Sequence, residues 1–179
     1  MVEVAREQQW RLPHPIAGTP LAHVALPLPL RAVLHRRGIA TTDQAEALLC
    51  DQDPPSPHEH FPELAQALAR LEMACRSGEA LAVCGDYDAD GMTSTALLLR
   101  AFRFLGACPK AAIPNRMDDG YGLNPGMVEQ LHDEGIRLLI TVDNGVAARE
   151  ALERAADLGV DVILTDHHTL PDQPPQAMA

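Results

Sequence analysis

ALAVCGDYDADG, residues 80–91, is an apolar run that ends in a glycine and three alternating aspartates, Asp86, Asp88 and Asp90. The apolar part has the length of a buried strand and is bounded by a turn signal. The same transition occurs twice more, in RLLITVDNG (137–145), which ends at Asp143, and in VDVILTDHH (160–168), which ends at Asp166, His167 and His168. Helical periodicity fills the intervals. Strand and helix alternating at this pitch imply right-handed βαβ units, hence an α/β fold with a parallel sheet covered by helices on both faces. In open sheets of this kind ligands bind outside the carboxyl ends of the strands. All seven of these acids and histidines are therefore expected along one edge. Carboxylates gathered so closely repel one another unless a cation neutralises them. The expectation is a hydrolytic site built on two divalent metal ions.

Working outward, strands are predicted over 80–84, 110–113, 137–142 and 161–165. Helices are predicted over 61–77, 93–105, from Asn124-Pro125 to Gly135, and over 147–158, with Gly78, Gly106, Gly135 and Gly159 as stops. Upstream, Pro13, Pro15, Pro20, Pro27 and Pro29 break the opening into extended pieces. Two short helices follow, over about 30–37 and 43–50, the second with Asp43 and Glu46 spaced as a capping pair. The run DPPSP at 53–57 reads as a linker. Residues 1–60 thus form a helical and irregular extension, and 61–179 the α/β domain. Four strands are few for a doubly wound sheet, so the domain reads as cut short.

The 179 residues carry 25 acids against 14 basic residues, a net charge of −11, which argues against broad salt-driven adhesion to nucleic acid or anionic membrane. Lys110 is the only lysine; arginine, the better forked phosphate binder, supplies the rest. Cys50, Cys75, Cys84 and Cys108 lie too far apart for a C-x-x-C site and read as reduced packing residues of a cytoplasmic protein. No apolar run is long enough to span a membrane, and the N-terminus lacks the apolar core of a secretion signal.

GDYDADG at 85–91 admits three chemical readings. As a calcium loop of the EF-hand type it fails, because the bidentate acid would fall on Leu97 and a strand precedes it. As a phosphatase with Asp88 as nucleophile it lacks a threonine where Met92 stands. Ligation of a hard cation remains, since alternate residues on a turn at a strand end present carboxylates to one point. Helix capping explains one acid at a helix start, not three. Asp143 alone is no more than a cap; sharing the edge, it can bridge two ions. Asp166-His167-His168 adds imidazole to the carboxylates, a donor set that suits Mn²⁺ as well as Mg²⁺. In the loop after the second strand, Arg116 is placed to touch phosphate and Tyr121 to stack a base. The bland alternative for both is a loop packed by its own side chains.

GDYDADG (85–91), TVDNG (141–145) and Asp166-His167-His168 resemble motifs I, II and III of the DHH phosphoesterase superfamily. RRGI (36–39) and IPNRMDDGYGLN (113–124) narrow the resemblance to the RecJ-type family of single-strand-specific 5′→3′ DNA exonucleases, over nearly the whole chain from Trp10. The resemblance implies a DHH domain incomplete at its C-terminus, because the family's fourth-motif aspartate and C-terminal domain have no counterpart before Ala179. It implies that Asp88 and Asp90 each hold one metal, that Asp143 bridges both and that His167 joins the second. Asp86 stands near where relatives place a metal-binding histidine. His168 faces the scissile phosphate and Asp166 orients the site. The implied activity is metal-dependent exonuclease action on single-stranded DNA in repair and recombination, impaired in a truncated chain. Two other readings stay open: a DHH phosphodiesterase acting on short oligonucleotides, cyclic dinucleotides or pyrophosphate, and a non-catalytic replication or repair scaffold.

Overall fold

The computed structural model describes residues 14, 16, 18, 21–50, 56–115, 117 and 120–179. The chain divides into two compact units, Met1–Pro55 and Ser56–Ala179. In the first, α1 (Leu28–Arg36) and α2 (Thr42–Leu49) follow one another across Gly38. The cap of α2 is not the expected Asp43 and Glu46. Thr41 Oγ1 accepts the Gln44 N–H at 3.2 Å, and Gln44 Oε1 accepts the Thr41 N–H at 3.2 Å. Asp43 falls inside the first turn, where its side chain no longer reaches back over the orphan N–H groups. The expectations for Pro13, Pro15, Pro20 and most of the DPPSP run lie outside the described residues.

The second unit runs α3 (Pro57–His60), α4 (Leu64–Ser77), β1 (Ala80–Cys84), α5 (Ala89–Phe104), β2 (Cys108–Ala112), α6 (Pro125–Asp133), β3 (Leu138–Val142), α7 (Arg149–Asp157) and β4 (Asp161–Thr165). All four strands pair in parallel, in the order β2-β1-β3-β4. Side chains alternate across the pleat. Leu81, Val83, Leu138, Ile140 and Ile163 pack with Ala67 and Ala74 of α4 and Phe102 of α5. Ala82, Cys84, Leu139 and Val162 pack with Val128 and Leu131 of α6 and Ala151, Leu152 and Ala155 of α7. Each fully buried leucine among them contributes about 1.5–3 kcal/mol. β3 is buried at every position, whereas β2 is largely exposed and forms one edge. Along β4, on the other edge, Met178 N–H donates to the Val162 carbonyl (3.0 Å) and Leu164 N–H to that of Ala179 (2.8 Å).

The strand order places the ligand crevice. From β1 the chain crosses over through α5 to β2 on one side, and from β3 through α7 to β4 on the other. The order reverses between β1 and β3, and in such sheets the crevice opens outside the carboxyl ends of those two strands. Asp143 follows β3 directly, and Asp86 follows β1 after Gly85.

Candidate metal centre

Asp86 leaves β1 through Gly85 and is completely buried. Its Oδ1 accepts the Asp88 N–H at 3.3 Å, and its Oδ2 has no hydrogen-bond partner among the described residues. Gly91 makes room for it, and Gly85 lets the chain pass close to Thr95 and Gly91. A Cβ on Gly91 would lie 1.8 Å from Asp86 Oδ1 and 2.6 Å from Asp86 N, and one on Gly85 would lie 2.2 Å from Thr95 Oγ1. Asp88 then caps α5: its backbone is extended, and Oδ1 accepts the N–H groups of Asp90 (2.9 Å) and Gly91 (3.1 Å). These bonds to Gly91 and Asp90 hold its carboxyl below the ordinary range. The cap starts α5 at Ala89, four residues before the predicted start at 93.

Asp143 ends β3 with φ of 60°, a left-handed conformation that costs a non-glycine residue about 1–2 kcal/mol. Its backbone is held on both sides. Its N–H donates to the Thr165 carbonyl at 3.1 Å, and its carbonyl accepts the Tyr121 hydroxyl at 3.1 Å. The carboxylate meets His167 Nε2 at 2.7 Å and has His168 Nδ1 at 4.0 Å. Asp166 supports this arrangement through contacts with the chain around it. Its Oδ2 accepts the Val146 N–H at 3.0 Å, and Oδ1 accepts the His168 N–H at 3.0 Å and meets His168 Nδ1 at 2.7 Å. Burial pushes the Asp166 carboxyl up, but the bonds from Val146 and His168 prevail and keep it low. The same contact to Asp166 raises the His168 imidazole above its ordinary value.

Two donor groups result, Asp86–Asp88–Asp143 and Asp143–His167–His168, each with ligand atoms within 4.8 Å of one another. They share Asp143. Among the described residues these aspartates form ion pairs only with histidine, never with arginine or lysine. Two carboxylates about 4 Å apart repel by about 4 kcal/mol at the effective dielectric of a protein surface. The unpartnered buried oxygen of Asp86 adds a desolvation cost. Both costs vanish when a divalent cation sits in the crevice, and carboxylate with imidazole is the donor set of Mn²⁺ and Mg²⁺ sites. The residues present therefore fit such ions.

The expected site residues do not all converge. Asp90 lies exposed in the first turn of α5 and belongs to neither group; it lines a cavity of about 430 Å³ with Leu97, Asp143, Asp166 and His167. Tyr121 is half-exposed, with its ring edge-on to His168 (6.2 Å between centroids) and to Tyr87 (5.9 Å). Burial, then the nearby Asp86 and Asp143, raise its phenol well above the ordinary range. A second cavity of about 540 Å³ opens beside Tyr121 and His168, between the starts of α6 and α7. Arg116 lies outside the described residues. Sequence reading passed over Asn144, which is buried and hydrogen-bonded to Leu123, Cys84 and Val142. The signal available for it was an amide followed by glycine directly after a strand-end acid.

Comparison with known proteins agrees with this geometry. The chain is 40% identical over 156 residues to the single-stranded-DNA-specific exonuclease RecJ of Escherichia coli, covering 86% of this chain and 26% of that protein. It is 42% identical over 128 residues to the RecJ of Thermus thermophilus, covering 72% of this chain and 19% of the relative. The chain thus spans about a quarter or less of the length of these curated relatives. A crystal structure of exonuclease RecJ bound to manganese superposes with a TM-score of 0.59 at 43% identity, over 63% of this chain and 29% of that one. The Thermus thermophilus RecJ structure in complex with Mn²⁺ gives 0.58 at 35% identity, over 84% and 20%. No helix among the described residues is long and apolar enough to cross a membrane. Residues 80–179, more than half of the chain and all of the sheet and its acidic edge, match the N-terminal domain of the DHH family, and to that family the chain belongs.

Proposed function

We propose that this chain is the metal-binding part of a phosphodiester hydrolase that removes nucleotides from single-stranded DNA in the 5′→3′ direction, in cytoplasmic DNA repair and recombination. The observation that carries the reading is the pair of donor groups joined at Asp143, with a buried and unpartnered oxygen on Asp86 beside them. The strand preference rests on the relatives, whose printed description is single-stranded-DNA-specific exonuclease; the 5′→3′ polarity rests on the motif resemblance alone. Residues 61–179 are the hydrolytic domain in this reading, and residues 1–60 an extension to it.

Asp86 and Asp88 hold one Mn²⁺ or Mg²⁺, His167 the other, and Asp143 both. Such a pair supplies Lewis acidity toward the phosphoryl oxygens and activates the attacking water. Asp166 fixes the His168 ring through Nδ1 and keeps it protonated to higher pH than a free imidazole. Nε2–H is then available to a phosphoryl oxygen. Val146 N–H and His168 N–H in turn fix Asp166. The exposed face of Tyr121 stacks a base next to the centre, and Arg116 contacts phosphate. Asp90 acts at the rim of the crevice and reaches an ion only if its side chain turns inward from α5.

Calorimetric titration of Mn²⁺ into this chain and into Asp143→Ala tests the reading, with a 5′-phosphorylated single-stranded oligonucleotide in a parallel cleavage assay. Loss of the shared ligand is expected to weaken binding by more than about 100-fold. Equal binding by both chains sinks the shared-ligand reading. Equal cleavage of single- and double-stranded substrate sinks the strand preference.

A further inference from the structure

We infer that Asn144, whose side-chain hydrogen bonds among the described residues all go to backbone groups, sets the separation of Asp86 and Asp143 and through it the cation affinity of the centre. The inference rests on the metal reading above and goes beyond it by assigning a positioning residue. β1 and β3 are in register up to Cys84 and Thr141. Beyond that pair the backbone ladder stops, and both chains turn toward the crevice. The Asn144 side chain takes over at that level. Its Nδ2 donates to the Cys84 carbonyl at 3.0 Å and to the Val142 carbonyl at 2.9 Å. Cys84 stands two residues before Asp86 and Val142 one before Asp143, so one amide fixes the spacing of the two strand ends that carry the acids.

The same amide holds a third segment. Oδ1 accepts the Leu123 N–H at 3.0 Å, and Leu123 follows by two residues the tyrosine whose hydroxyl grips the Asp143 carbonyl. The loop backbone lies close against it: a Cβ on Gly122 would sit 3.2 Å from both Asn144 Cβ and Oδ1. Asp143 supplies the geometry that aims Asn144 downward, because its left-handed backbone reverses the chain at the end of β3. Asn144 is 2% exposed, and its amide uses both donor hydrogens and an acceptor lone pair. No isostere repeats this pattern. An aspartate keeps the bond from Leu123 but turns lone pairs on the two carbonyls.

A clamp that merely holds the fold together and one that sets ligand spacing differ in what a variant changes. The test compares Mn²⁺ binding, followed by the electron paramagnetic resonance signal of the free ion. The chains are the wild type, Asn144→Ala, Asn144→Asp and, as a control that loosens the opposite end of the sheet, Arg70→Met. Each is measured at a temperature at which circular dichroism shows it folded. Both Asn144 variants are expected to lose at least about tenfold in Mn²⁺ affinity, the effect of removing a group that orients ligands. Arg70→Met is expected to stay within about twofold of the wild type, below 0.5 kcal/mol of binding energy. If Asn144→Ala does not fold, the isosteric Asn144→Asp carries the comparison. Folded Asn144 variants that bind within about twofold of the wild type overturn the inference, and so does an equal loss in Arg70→Met. A wild-type chain that takes up no Mn²⁺ instead brings down the metal reading on which the inference stands.

Discussion

The two ends of one sheet treat their acids in opposite ways. Below β1 and β4, Glu79 and Asp161 converge on Arg70 of α4: Nη1 and Nη2 meet the two Glu79 oxygens at 2.8 and 2.7 Å, and Nε meets Asp161 at 2.7 Å. The guanidinium is largely buried, and the bonds to Glu79 and then Asp161 outweigh that burial and raise its pKa further. Above the same strands, Asp86, Asp88, Asp143 and Asp166 converge with no arginine or lysine among the described residues to pair with them. A protein cation is the simplest cure for crowded carboxylates, and this fold supplies one where it needs only stability. At the other end it supplies histidines, a strained Asp143 and a buried oxygen without a partner among the described residues. Each of those features costs stability in the free protein, and each makes sense if the missing charge is a bound ion.

The sharpest way to break this contrast is to close the space Asp86 occupies. Gly91→Ala puts a methyl group on top of Asp86 Oδ1 and against Asp86 N, so the carboxylate must leave the crevice. Glycine to alanine inside an ordinary helix gains about 1 kcal/mol from propensity. Here overpacking opposes that gain, at about 1–3 kcal/mol. Mn²⁺ affinity is expected to fall by about 100-fold or more while the helical signal persists. A variant that is more stable than the parent and binds Mn²⁺ equally well removes the argument for the Asp86 site.

At the other end, Arg70→Met keeps the length and apolar packing of the side chain and strands Glu79 and Asp161. Breaking a buried pair costs about 3–5 kcal/mol, and the partial exposure of both acids reduces this to about 2 kcal/mol. Thermal denaturation should show the loss with Mn²⁺ binding intact. A melting temperature equal to the parent's would mean that solvent screens the triad completely.

Much of this contrast is legible in the sequence alone. Apolar runs of strand length, each followed by an acid and separated by helices with glycine stops, suffice for the parallel sheet and for the edge that gathers the acids. The exact donors are less legible, because they depend on where α5 begins. Alternate acids point to one side only while the chain stays extended. Asp88 ends that stretch by capping the helix at Ala89, and each helical residue then turns about 100°, so Asp90 swings out to solvent while Asp86 stays in the crevice. Sequence reading also gave no helix for α3, Pro57–His60, which begins at the last residue of the DPPSP run. Asn144 was missed for another reason. Its partners are backbone groups of Cys84 and Leu123, distant in the chain, and backbone donors and acceptors leave no mark in a sequence.

The smallest expected effect concerns pH, and it centres on the Asp166–His168 pair. Arg70 keeps its charge throughout the accessible pH range. The Asp166–His168 pair behaves otherwise. The contact with Asp166 raises His168, so the stability this contact gives is complete below the unfolded imidazole value of about 6.5 and is lost as pH rises through the folded value. Asp166 is lowered, so its share is present above the ordinary carboxylate range and is lost as pH falls through its folded value. The pair is therefore strongest between those two points. An NMR titration of the metal-free chain should place the His168 midpoint above about 6.5, and Asp166→Asn should bring it down, because the neutral amide no longer favours the imidazolium. A His168 midpoint that does not move in Asp166→Asn would mean that Asp143, 4.0 Å away, sets the imidazole's charge instead. The acid after β3 would then govern both the metals and the proton, and Asp166 would serve only to hold the turn at Val146.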